Sequence, residues 1–330
     1  VRISREALID LARDEAVQRA ATNNVLSAYL IGSVASGDPL LGGAADIDLI
    51  LIHAEQPVER REIVPLSDDV HLDIEHHARA MYARPRTLRT HPWMGPAMCE
   101  PIFLYDPEHL FEWAQAAARG QYYRPDHMLN RARAFLQRAR QARSVLSISN
   151  RWLKTYTRAV LEAANALACL SGFPVAGRRL VRELETCLDE LGQPQVYQQF
   201  LNLLGASAID SWDLPTRLSA WGRAFDDAAT ASPDPDLAPC RRRYYHAGLQ
   251  AFAEESRPEA TIYTLLTTWE NAIYALASAG HLDSHAAAWQ AFVMDLELHE
   301  GAYAARGEAL EKFIDEVEAH IEAWADASGA

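Results

Sequence analysis

Residues 32–53 read GSVASGDPLLGGAADIDLILIH. The pair Gly32-Ser33 stands fourteen residues ahead of Asp46, and Asp48 follows at strand spacing inside an apolar run. Side chains alternate along a strand, so Asp46 and Asp48 share one face while Ile47, Leu49 and Leu51 point into a core. Adjacent carboxylates repel, and although an isolated Asp-x-Asp is usually a solvated strand edge, the pair is most readily tolerated where a divalent cation neutralises it. Upstream, Tyr29 to Ile31 read as a short buried strand ending at Gly32-Ser33, after which Val34 to Gly37 begin a helix or tight turn. A glycine there lets the backbone approach a ligand, and free N–H groups at a helix start attract phosphate oxygens, to which Ser33 adds a hydroxyl.

Downstream, VHLDIEHH at 70–77 reads as another strand. Val70, Leu72 and Ile74 fall on one face, His71, Asp73 and Glu75 on the other, so Asp73 is a third carboxylate able to join the first two. His71 reads either as a residue with no part in the site or, as the lesser alternative, as a non-ligating neighbour of the carboxylates, and His76 and His77 as surface residues.

Gly-Ser, Asp-x-Asp and a later Asp, in that order, resemble the nucleotidyltransferase superfamily that includes DNA polymerase beta, over about the first 110 residues. The matching positions are Gly32, Ser33, Asp46, Asp48 and Asp73. The resemblance implies transfer of a nucleoside monophosphate from an NTP to an acceptor hydroxyl, with release of pyrophosphate. It also implies two Mg2+ ions, or Mn2+ in their place. Asp46 and Asp48 would bind both ions, Asp73 the one that activates the acceptor oxygen, and Gly32 and Ser33 the terminal phosphates.

Beyond PIFLYDP at 101–107, read as a last strand, the sequence turns helical. The expected fold is an α+β N-terminal domain, a small mixed sheet with helices, followed by an all-α helical bundle. The expected divisions are a catalytic domain over 1–112, a helical domain over 113–230, a proline-rich linker over 231–239 (ASPDPDLAP) and a C-terminal helical bundle over 240–330. The opening residues read as an amphipathic helix with Leu8, Leu11, Ala12 and Val17 inward. Further helices are expected at about 150–170, 177–191, 194–204, 214–229, 241–255, 258–279, 283–296 and 301–325.

Between Arg119 and Arg158 there are ten Lys or Arg residues and one acid, Asp126, in a chain of formal charge −14. A positive segment of that kind suits a triphosphate, although arginine-rich helix faces also occur simply against water. On the helix of about 150–170, Leu153, Tyr156, Val160, Ala163, Leu167 and Leu170 fall on one side and Arg151, Lys154, Arg158, Glu162 and Asn165 on the other. An α/β catalytic domain followed by helices resembles aminoglycoside and lincosamide nucleotidyltransferases. The polar side either faces water, with Lys154 and Arg158 pairing with Glu162, or faces the cleft, where Lys154 and Arg158 would hold the phosphates; the resemblance implies a general base, for which Glu162 is the candidate. Trp93, Trp113, Trp152 and Tyr156 read as core aromatics.

Composition narrows the partners. The acidic charge argues against coating nucleic acid and suits a cationic acceptor better. No apolar run approaches the length of a membrane span, and no charged-then-apolar leader opens the chain, so a cytoplasmic protein without a membrane partner is expected. Cys99, Cys169, Cys187 and Cys240 lack zinc-ligand spacing and read as small buried hydrophobes. The leading acceptor is a small hydroxyl-bearing metabolite or antibiotic. The alternatives are a tRNA end or a protein side chain, as in toxin-like members, or a nucleotide sensor or scaffold that performs no transfer. The sequence leaves the oligomeric state open.

Overall fold

A computed structural model describes residues 3–22, 24–211 and 213–330. Val1 and Arg2, within the expected opening helix, lie outside the described residues. The chain forms two compact units, Val1–Tyr122 and Tyr123–Ala330.

The first unit runs α1 (Arg5–Thr22), β1 (Val25–Leu30), α2 (Gly32–Ser36), β2 (Ala45–His53), β3 (Arg61–Pro65), β4 (Val70–Ala78), α3 (Pro85–Leu88), α4 (Met94–Ala97), β5 (Ile102–Tyr105) and α5 (Leu110–Arg119). The strands form one sheet in the order β3-β4-β2-β1-β5. β2 and β4 are parallel and every other pair is antiparallel. The sheet is therefore mixed, as expected.

Its two faces follow from the alternation of residues. Ala45, Ile47, Leu49 and Leu51 of β2 join Leu72 and Ile74 of β4 in a core closed by Leu8, Ala12 and Ala16 of α1. Leu11 and Val17 are exposed instead. Positions 8, 12 and 16 repeat every four residues and form the inward stripe, which Leu11 and Val17 do not share. On the opposite face, Ile50 and Ile52 of β2 and Tyr29 of β1 pack with Phe111, Ala114 and Ala118 of α5. Phe111 stacks on Tyr29 with ring centroids 3.7 Å apart. This packing holds all of α5 in the first unit, so the expected division at 112 gives way to one after Tyr122.

The second unit comprises α6 (Pro125–Ser144), α7 (Trp152–Ser171), α8 (Leu180–Glu190), α9 (Pro194–Leu203), α10 (Leu214–Ala231), α11 (Pro239–Glu254), α12 (Ile262–Ala279), α13 (Asp283–Asp295) and α14 (Tyr303–Ser328). The expected linker over 231–239 is a turn inside this unit. Leu237 is buried within it, and the Asp234 side chain accepts from the backbone N–H of Asp236 at 2.9 Å. Its prolines mark a tight connection between α10 and α11, not a boundary.

Three arginines of the basic segment pair with acids of α14. Arg133 pairs with Glu322 at 2.7 Å, Arg140 with Asp315 at 2.9 Å, and Arg143 with Glu311 at 2.9 Å. The acids recur along one face of α14, so the two helices meet as complementary charged stripes. Among the described residues no helix is long and apolar enough to cross a membrane.

Candidate metal centre

Asp46, Asp48 and Asp73 converge because two parallel strands run in register. Asp48 sits directly opposite Asp73, and Asp46 lies two residues earlier on the same face, opposite His71. One carboxylate oxygen from each comes within 4.8 Å of the others. Asp46 is 8% exposed and Asp73 7%, while Asp48 is half-buried. Among the described residues this is the one group of three or more acidic, histidine or cysteine side chains with that geometry.

The donor set is all hard oxygen, suited to Mg2+, Mn2+ or Ca2+ and unsuited to a soft metal. Gly32 supplies a second test of fit. Its φ is +69°, and a Cβ there would come 1.9 Å from Asp48 Oδ2. The backbone therefore lies against the carboxylate as only glycine permits. The Ile31 N–H donates to the Asp48 carbonyl at 3.1 Å, tying the start of the turn to β2. From α1, Arg5 donates to the carbonyls of Val34 at 2.8 Å and Ala35 at 2.9 Å, fixing the far end of α2. Ser33 is half-buried in the same turn.

Arg61 of β3 is a site residue that the sequence reading missed. It grips Asp73 in a fork, Nε donating to Oδ1 at 2.7 Å and Nη2 to Oδ2 at 2.6 Å. A planar guanidinium matched to a carboxylate fixes orientation as well as charge. β3 is a short edge strand of five half-buried or exposed residues ending in proline, so it lacks the apolar run that marks β2. Arg-Glu-Ile-Val-Pro does not alternate polar with apolar residues, so the local pattern carries no signal for it.

The histidines after Asp73 are not surface residues. His76 bridges His53 at 2.8 Å and Glu62 at 3.0 Å, and Glu62 is held in turn by Arg19 at 2.7 Å. His77 Nδ1 bonds the Tyr82 hydroxyl at 2.6 Å, which lies 2.7 Å from that of Tyr29. Burial pushes both tyrosines above the ordinary phenol range. Packing at the ends of β2 and β4 encloses both histidines.

Lys154, Arg158 and Glu162 belong to α7 of the second unit. Lys154 and Arg158 are exposed, and Lys154 donates to Asn271 Oδ1 at 3.3 Å. The polar stripe is not continuous. Asn165 is buried and exchanges hydrogen bonds with the Val175 backbone at 2.6 and 2.9 Å. Glu162 is only 5% exposed, lies 3.6 Å from Arg138, and has one oxygen, Oε2, with no hydrogen-bond partner. Burial raises its carboxyl above the usual range, against the opposing pull of Arg138 and Arg158. No protein-family model and no curated protein matches this sequence.

Two expectations follow. Gly32→Ala should displace the Asp48 carboxylate, destabilise the chain by about 1–2 kcal/mol and remove divalent-cation binding measured by calorimetry. Retained binding would contradict the cradle. The raised value of Glu162 means that the folded chain holds its proton to higher pH than the unfolded chain. Its contribution is complete below the ordinary glutamate range and is lost as pH rises through the raised value. Glu162→Gln stays neutral, so its melting temperature should match the parent's near about pH 4 and exceed it at neutral pH. Parallel pH profiles of melting temperature would refute this.

Proposed function

We propose that the chain is a metal-dependent nucleotidyltransferase. It would move a nucleoside monophosphate from an NTP to the hydroxyl of a small acceptor, forming a phosphodiester and releasing pyrophosphate. The observation that carries this reading is the meeting of three carboxylates on one sheet face, with Gly32 against Asp48.

In this reading Asp46, Asp48 and Asp73 hold Mg2+, two ions or Mn2+ in their place. A bound cation would neutralise phosphate charge and lower the pKa of the acceptor hydroxyl. The protein's own contribution is mainly positioning, since phosphoryl-type transfer leaves little covalent work to the enzyme. Gly32 and Ser33 would bring backbone N–H groups and a hydroxyl to the phosphates. Arg61 would orient Asp73, whose carboxylate is then the acceptor for the hydroxyl proton. Lys154 and Arg158 belong to the second unit and carry no part of this reading. Glu162, buried beside Arg138, offers too little carboxylate surface to be assigned the base. The formal charge of −14 favours a cationic acceptor over nucleic acid.

The test is pyrophosphate release from each of the four NTPs with Mg2+, against aminoglycosides, lincosamides and bulk tRNA, with Asp48→Ala as control. Release that depends on one acceptor and is lost in Asp48→Ala, with an unchanged circular dichroism spectrum, is the expected result. Metal-dependent NTP binding with no release would identify a nucleotide sensor instead. Full turnover by Asp48→Ala would refute the site.

A further inference from the structure

A cleft of 720 Å³ lies in the first unit away from the carboxylates, lined among others by Arg79, Tyr82, Pro85, Glu108, Leu110 and Trp113. Ala54, which follows β2, and Ala80, which follows β4, also line it, so it sits where these strands end, whereas Asp46 and Asp48 stand near the start of β2. Ala54 lies six residue steps beyond Asp48, about 20 Å at ~3.3 Å per step. The cleft is therefore a separate site, and its size falls within the range of small-molecule pockets.

Its lining is divided by chemistry. Tyr82, half-buried Leu110 and Pro85 are apolar, and the Tyr82 hydroxyl is already engaged by His77 and Tyr29. Trp113 was expected in the core but is 77% exposed. A large aromatic on an amphipathic helix is ordinarily buried, and among the described residues this indole stacks on no other ring. Arg79 and Glu108 are exposed, and neither has an ion-pair or hydrogen-bond partner among the described residues. His109, between Glu108 and α5, adopts a left-handed conformation at φ +55°, uncommon outside glycine.

We propose that this cleft binds a flat aromatic molecule carrying one anionic group, its ring on Trp113 and its anion on Arg79. The exposed indole supplies a stacking surface, and the guanidinium matches a carboxylate or phosphate in a fork. Glu108 accepts from a hydroxyl or amino group of the same ligand. One cation and one carboxylate leave the lining near neutral, which favours a single carboxylate or a single phosphate group and disfavours a triphosphate. Nucleoside monophosphates and aromatic amino acids share this chemistry.

The full-length chain is titrated calorimetrically with AMP, adenosine and tryptophan, in chelator so that the carboxylate cluster recruits no nucleotide through a metal. AMP or tryptophan should bind at one site per chain with Kd below about 1 mM. Trp113→Ala and Arg79→Ala, both on exposed side chains, should each weaken that binding about tenfold, with Trp113→Phe retaining most of it. Asp48→Ala should leave it unchanged. AMP binding without tryptophan binding identifies a nucleotide site, and the reverse an amino-acid site. Absence of binding by both, insensitivity to Trp113→Ala and Arg79→Ala, or adenosine binding as tightly as AMP would each overturn the proposal. Failure of NTP turnover has no bearing on this result.

Discussion

Three carboxylates forced onto one patch of a sheet repel one another, and the architecture of the first unit is organised around tolerating that repulsion. The parallel register of β2 and β4 sets Asp48 opposite Asp73 and keeps Asp46 on the same face. Arg61 returns one positive charge from the neighbouring edge strand. Unlike charges at this distance offset part of the repulsion, and a bound divalent cation would offset the rest. Replacing one of the aspartates with a neutral residue would relieve part of that repulsion.

The turn between β1 and β2 obeys the same constraint. The carboxylate of Asp48 occupies the space that a Cβ on residue 32 would need, which leaves glycine as the residue that fits. Gly42 and Gly43, with φ of +64° and +80°, then reverse the chain between Leu41 and Ala44 immediately before β2 begins. Two successive positive φ values are the mark of a tight mirror-image turn. Meanwhile α5 and Tyr29 fill the other half of the same sheet face with rings, so the polar and apolar halves of one surface come from a single set of strands.

Much of this was legible because period and spacing are local properties. The alternation in β2 and β4 identified both their faces and their shared carboxylates, and the helical periodicity located the helices of the second unit to within a few residues. What escaped was non-local. Arg61 sits in a short edge strand whose value lies in its register with β4, which no local pattern reveals. Glu162 read as part of a polar stripe, yet its environment is set by Arg138 on a different helix. The arginines between 119 and 158 read as suited to phosphate or simply to water, and it is the acids of α14, more than 160 residues away, that take up Arg133, Arg140 and Arg143. Charge meaning depends on partners, and partners are assigned by the fold.

The most direct test of the central claim, that these carboxylates form a metal site, is Mn2+ binding followed by electron paramagnetic resonance in the absence of nucleotide. The free-ion signal should be depleted by the parent chain and restored when Asp46→Asn or Asp73→Asn is substituted, with both variants melting no lower than the parent without metal. Equal depletion by the parent and both variants would place any bound ion elsewhere and leave the three aspartates without their proposed role.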